Sequence, residues 1–168
     1  MKPTPIALPA SYAERVSPEL AASIVGIGNA ALLGEPLLGL IASRECPGKI
    51  LIDTLDRVPL WVKTGRVIVS GFHSPLEQQV LRSYLRRQGR VVKVLALGIS
   101  HYQSDAQELE PLANGQMLMI SAFAPSVQRT SRATALERNR LVLALATEVV
   151  APHISASSPL AALLAERI

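Results

Sequence analysis

The sequence has little from which to build a disulfide or a metal centre. Its one cysteine is Cys46, and its three histidines, His73, His101 and His153, are far apart in the chain. Such a set supplies neither an intrachain disulfide nor closely spaced metal ligands, so no metal and no cofactor is expected. A lone cysteine fits a reducing, cytoplasmic setting. Aromatic residues make up only 4% of the chain, which weakens any reading in which single-stranded nucleic acid is held chiefly by stacking. An uninterrupted membrane-spanning run is also missing. The most apolar stretch, residues 20–42, is broken by Asn29, Glu35 and Pro36, and a carboxylate near its middle is costly in lipid. The N-terminus carries Lys2 and several prolines rather than the order of a signal peptide. Internal repeats and extended low-complexity segments are lacking too.

What is present suffices for a folded core. The 168 residues are 49% hydrophobic and 18% charged, outside the disordered range and of a length that fits one domain. The net charge is +4, with arginine exceeding lysine. That balance suits planar, bidentate contacts to phosphate or carboxylate without requiring a nucleic-acid partner.

Residues 1–19 read as an irregular N-terminal arm and residues 20–168 as a single domain. Strands are expected at 37–42 (LLGLIA), 66–70, 91–96 (VVKVLA), 117–120 and, weakly, 148–151. Helices are expected at 47–63, 75–88, 106–112, 131–146 and 159–167. Gly89 reads as a helix stop. Short, nearly all-apolar strands alternating with helices predict an α/β chain whose mostly parallel sheet is covered on both faces.

In such a sheet, ligands gather outside the carboxyl ends of the strands. The strand ends here carry Ser43, then Ser70-Gly71-Phe72-His73-Ser74, then Ser121. In VIVSGFHSPLEQQ, Ser74 is a good N-cap, Pro75 fits the first helical position, and Glu77 can close a capping box worth about 1 kcal/mol. Gly71 would allow a tight turn or a close approach to a ligand. The helix start would suit a phosphate, although Glu77 competes for the same amides. The same residues also make a plain strand–helix turn, and His73 fits either a base or phosphate contact or a local hydrogen bond. Two basic stretches stand out. RTSRATALERNR holds Arg129, Arg132, Arg138 and Arg140 with Asn139 between the last two. Arg82, Arg86 and Arg90 follow helical spacing and form a stripe. Both fit solvated faces as well as a phosphate-tracking surface.

At these residues the chain resembles the DprA/Smf family of DNA-processing, recombination-mediator proteins, above all its short members. The segment from VIVSGFHSPLEQQ through VVKVLALGI is similar to that family's central part, with Ser70-Gly71 at its Ser-Gly. The later segment matches a serine after a strand, Arg-Asn-Arg opening an apolar helix, and a Ser-rich loop, here Ser121, Arg138-Asn139-Arg140 and Ser157-Ser158. Upstream, Gly28-Asn29, Leu32-Leu33, Ser43 and Cys46-Pro47-Gly48 continue the likeness, which covers roughly residues 26–165. It implies a Rossmann-like three-layer sandwich of the wider group that includes lysine-decarboxylase-like proteins. It also implies binding of single-stranded DNA or a nucleotide, with a homodimer as a candidate assembly. The match departs from full-length members at Phe72–Glu77, where they continue with Gly-Ile-Asp and an Ala-His pair, and it includes none of their flanking helical domains. The Pro-Gly-Gly-x-Gly-Thr pattern of phosphoribohydrolase relatives is missing.

The resulting expectation is a non-catalytic DNA-processing protein. Its phosphate or nucleotide site comprises Gly28, Asn29, Ser43, Ser70, Gly71, His73, Ser74, Ser121, Arg138, Asn139 and Arg140. Arg129, Arg132, Arg82 and Arg86 would contact the nucleic acid, and Ser74 with Glu77 would cap the helix. A small-nucleotide sensor, a nucleotide hydrolase using Glu77 and an interaction module remain the competing readings.

Overall fold

In the computed structural model, residues 2–167 are described. In chain order the strands are β1 (Thr4–Pro5), β2 (Val25–Gly28), β3 (Leu37–Leu40), β4 (Val67–Ser70), β5 (Val91–Val94), β6 (Met117–Ser121) and β7 (Glu148–Val150). The helices are α1 (Pro18–Ser23), α2 (Gly48–Lys63), α3 (Pro75–Arg86), α4 (Ala106–Asn114), α5 (Arg132–Leu145) and α6 (Pro159–Arg167). Every element expected from residue 37 onward forms, with ends moved by one or two residues. The sheet runs β1-β2-β6-β5-β4-β3-β7. Strands β3 to β7 run parallel to one another, in register at Leu38↔Ile68, Val69↔Val92 and Val92↔Leu118. At the other edge β2 pairs antiparallel with β6, and β1 antiparallel with β2.

Side chains alternate between the faces of each strand, and both faces are apolar. Leu37, Val67, Val69, Val92 and Val94 pack under α5 and α6, together with Tyr12 and Val16 of the N-terminal segment. Leu38, Leu40, Ile68, Val91 and Met119 pack under α2, α3 and α4. This is the three-layer α/β sandwich with a Rossmann-like sheet. Lys93 takes the place of a hydrophobic residue on the second face, between Val92 and Val94 that point to the first.

Two local readings change. The left-handed residue after α3 is Gln88 (φ 60) rather than Gly89. Gly89 is instead needed for space, because a side chain there would strike the Tyr84 ring. Arg90 leaves the expected basic stripe, since α3 ends at Arg86 and the Arg90 guanidinium turns to the Glu35 carboxylate, 2.9 Å from Oε1, and to the Gly65 carbonyl oxygen at 2.9 Å. A paired charge 55 positions away is invisible to helical spacing.

Gly39 in β3 lets α5 sit close on the sheet, since a Cβ there would stand 2.7 Å from that of Ala146. Gly39→Val is expected to lower stability by about 1–3 kcal/mol through overpacking, read as a reduced urea midpoint at unchanged slope.

Candidate nucleic-acid interface

The carboxyl edge of the parallel strands is organised around one buried cation. Arg138 projects from α5 and is 5% exposed. Its guanidinium lies against Gly71, where any Cβ would collide with it. Nη1 lies 3.4 Å from the carbonyl oxygen of Val94, the last residue of β5, and Nε donates to Asn139 Oδ1 at 2.8 Å. Gly71 is therefore required for space rather than for its backbone freedom. The positive φ of the hinge belongs to Phe72 (φ 50), whose ring is buried. An arginine well inside a helix that begins at Arg132 reaches the edge because the residue facing it has no side chain.

Glu77 is the second buried group, 4% exposed. The capping box forms as expected: Glu77 N donates to Ser74 Oγ at 3.3 Å, and Ser74 N to Glu77 Oε1 at 3.4 Å. The carboxylate does more than cap. Oε1 also accepts from His73 N at 2.9 Å, and Oε2 accepts from Ala42 N, beyond β3, at 2.9 Å. Burial pushes its pKa up, while the amides of Ala42 and His73, the Arg138 charge and the Ser74 amide pull it down. The amides that would have received a phosphate at the start of α3 thus already hold a carboxylate of the chain itself. Of the two expectations for this helix start, a phosphate on its amides is corrected on that ground, and the competing Glu77 cap is what forms.

The serines at the strand ends shape loops. Ser70 and Ser121 are each 0% exposed. Their hydroxyl oxygens accept from the amides two residues on, Phe72 N and Phe123 N, both at 3.1 Å, and Ser121 Oγ donates to the Leu97 carbonyl oxygen at 2.6 Å. Ser43 Oγ accepts from Ser155 N at 2.8 Å, which anchors the Ser-rich loop before α6. Ser74 is buried as the cap. Direct contact of Ser70 or Ser121 with a phosphate, as expected from their positions in the sequence, is excluded by this burial.

What remains open at the edge is side-chain charge. His73, Gln78 and Arg138 form a wall shared by two clefts. One, of about 450 Å³, also takes in Arg44, Ser74 and Asn139. The other, of about 310 Å³, lies between α3 and α4 and takes in Arg82 and Lys93. Desolvation and then the positive charges of Arg138, Arg44 and Lys93 lower the His73 pKa below its ordinary value.

The other expected site residues separate from this edge. Because β2 is antiparallel, Gly28 pairs with Leu118 near the start of β6, so Gly28 and Asn29 lie at the opposite end of the strands. There Asn29 Nδ2 donates to the Gly115 carbonyl oxygen at 2.9 Å. Arg140 points toward α6 and binds Glu166 at 2.7 Å. Arg86 lines a hollow with Gly115 and Gln116, away from Arg82. Arg129 and Arg132 are exposed just before and at the start of α5, flanking Thr130 of the smaller cleft. Arg44, Lys93, Tyr102 and Glu108 were not singled out from the sequence. The signal for Lys93 was available, as a charge inside the apolar run VVKVLA.

Two substitutions test this geometry. Gly71→Ala should displace the Arg138 guanidinium and cost about 1–3 kcal/mol, with a visible change in the chemical shift of the His73 ring. Glu77→Gln keeps the shape but places an NH2 or a lone oxygen against three amide donors. It is expected to cost about 2–4 kcal/mol, measured by urea unfolding.

Comparisons with known proteins agree with this fold. The family model described as DNA recombination-mediator protein A matches residues 9–158. DNA processing protein A (DprA) from Streptococcus pneumoniae superposes with a TM-score of 0.77 at 19% identity, over 99% of this chain and 59% of that one. DNA processing protein A from Helicobacter pylori, whose structure is presented for its single-stranded DNA binding mode, gives a TM-score of 0.78 at 18% identity, over 99% of this chain and 78% of that one. No curated protein sequence matches the chain. Among the described residues no helix is long and apolar enough to cross a membrane. With a family match that runs through both the hinge of Gly71 and the helix of Arg138, the chain belongs to the DNA recombination-mediator protein A family.

Proposed function

We propose that this chain binds single-stranded DNA along the carboxyl edge of its sheet, as a non-catalytic DNA-processing protein of the cytoplasm. The observation that carries the proposal is the wall of Arg138 and His73 between two clefts, with Arg44 on one side and Arg82 on the other. A groove whose charge tracks a phosphate backbone needs cations spaced along an edge rather than one deep pocket. The described binding mode of the Helicobacter pylori relative supports the same reading. Phosphates are assigned to Arg44, Arg82 and His73, with the buried Arg138 lining both clefts and Asn139 orienting it. Arg129 and Arg132 extend the basic track where the chain enters α5.

A hydrolase reading has no support in Glu77, whose carboxylate is engaged by Ala42, His73 and Ser74. A small nucleotide is the second reading, favoured by the smaller cleft of about 310 Å³, a size within the range of small-ligand sites. Self-association is included on the family resemblance alone, and sedimentation equilibrium reads it directly.

The logarithm of the affinity for single-stranded DNA is expected to fall linearly with log salt, and Arg44→Ala should make the slope shallower by about one unit. A flat salt response, or an Arg44→Ala/Arg82→Ala variant that binds as the wild type does, would sink the DNA reading. A pH test is independent of salt. The free His73 is held neutral below the usual 6.5, and a bound phosphate favours the imidazolium and raises that pKa. Affinity should therefore rise as pH falls through the pKa of the complex, and level off below that of the free protein. His73→Gln should flatten this rise.

A further inference from the structure

The opposite face of the sheet, which α5 covers, has a hollow of its own. It lies between α1 and α5, takes in the residues that follow β5 and β6, and holds about 170 Å³. Its lining runs from the buried Leu95 and Leu141 through the half-buried Ala122, Phe123 and Ala144 to the exposed Leu20. An apolar cavity of about 150 Å³ takes a benzene ring, so the hollow has room for one bulky side chain.

Helix α1 has no evident role in the core. None of its six residues is buried, whereas a surface helix ordinarily buries one apolar stripe. Its single large apolar residue, Leu20, is 36% exposed and lines the hollow. The fold gains little from a leucine in that place, and a partner that filled the hollow would cover it.

Charge decides what the partner is. Three arginines and one acid, Arg15, Arg138, Arg140 and Glu137, line the hollow. Arg15 is held in place, with its guanidinium 5.0 Å from the Tyr12 ring centroid and Nη1 donating to the Ala146 carbonyl oxygen at 3.2 Å. That bond uses one of the five N–H groups of an arginine, and the residue is exposed. Arg140 binds Glu166 at 2.7 Å and approaches Glu137 at 4.0 Å. Both pairs are exposed, so they hold the arginine weakly and can exchange for an incoming carboxylate. A nucleobase would turn its hydrogen-bonding edges toward aliphatic walls, at a cost that a leucyl or phenyl group does not incur.

We propose that the hollow between α1 and α5 docks an acidic protein segment, seating one leucyl or aromatic side chain against Leu20, Leu95 and Leu141, with flanking carboxylates on Arg15 and Arg140. This surface lies across the sheet from the cleft between α3 and α4, and the proposal does not rest on the DNA reading.

The probe is a fluorescein-labelled oligoglutamate with one central phenylalanine, compared by anisotropy at low salt with the same peptide carrying alanine there. The wild type should bind the phenylalanine peptide about tenfold more tightly, the scale of burying one aromatic side chain. Leu20→Ser, at an exposed position, and Ala144→Leu, which fills the hollow, should each remove that preference. Arg140→Gln should weaken both peptides alike. Affinity for oligothymidylate, measured separately, should be the same in Leu20→Ser as in the wild type. Equal binding of the two peptides, no binding of either, or a preference that survives in Leu20→Ser overturns the proposal and leaves the DNA reading untouched. Weaker oligothymidylate binding by the uncharged Leu20→Ser variant would assign the hollow to nucleic acid and overturn it as well. Should Ala144→Leu fail to fold, Leu20→Ser still decides.

Discussion

The contact of Arg138 with Gly71 is the constraint on which the carboxyl edge depends. A guanidinium buried to this degree must be compensated within the protein. The compensation comes from Asn139 Oδ1, the Val94 carbonyl oxygen and the field of Glu77. These partners belong to α5, β5 and α3, so the arginine fixes three elements against one another at the place where their ends meet. Glu77 completes the arrangement by joining the residue after Ile41 to the start of α3 through the Ala42 amide. The loop from Gly71 to Ser74 is left with one shape, and the clefts on either side of it inherit that shape.

This arrangement also explains how a modest net charge of +4 can produce a locally basic edge. Many of the arginines are engaged elsewhere. Arg66 pairs with Glu148, Arg90 with Glu35 and Arg140 with Glu166. Arg15 and Arg167 donate to the Ala146 carbonyl oxygen near the end of α5. Arg44 and Arg82, both exposed, stand in the two clefts that share this wall, and Arg129 and Arg132 are exposed in the sequence around Thr130, which lines the smaller one. Composition reports the sum of the charges, and only the fold shows that Arg66, Arg90 and Arg140 are paired outside the two clefts.

The strands and helices from residue 37 onward were legible because period and end signals agree there, as in VIVSG followed by Ser74, Pro75 and Glu77. Strands β1 and β2 were not, since Thr4–Pro5 is too short to show a period and VGIG has half its positions without a side chain. The antiparallel course of β2 then moved Gly28 and Asn29 to the wrong end of the sheet for a site defined by parallel strands. For the edge itself, sequence order identified which loops follow strands but not which atoms in them stay free. Their places after strands put Ser70 and Ser121 among the expected phosphate contacts, whereas each hydroxyl oxygen accepts from the amide two residues ahead. Lys93 is masked by the apolar majority of VVKVLA, although a buried cation demands a partner, here Glu108 and Tyr102.

The hinge residues from Phe72 to Glu77, where the resemblance to full-length family members breaks, bear directly on recognition. A helix start with free amides binds an anion through backbone N–H groups, which only proline removes. Here a glutamate side chain holds the amides of His73 and Ser74, so backbone recognition at this turn is closed. On the reading proposed above, the work of meeting a phosphate passes to the side chains of His73, Arg44 and Arg82, with the buried Arg138 behind them. Side-chain cations at an edge respond to salt, and the histidine among them responds to pH, in ways that a backbone nest does not. Glu77 therefore has two linked effects at the hinge, fixing the wall between the clefts and closing the start of α3 to an anion.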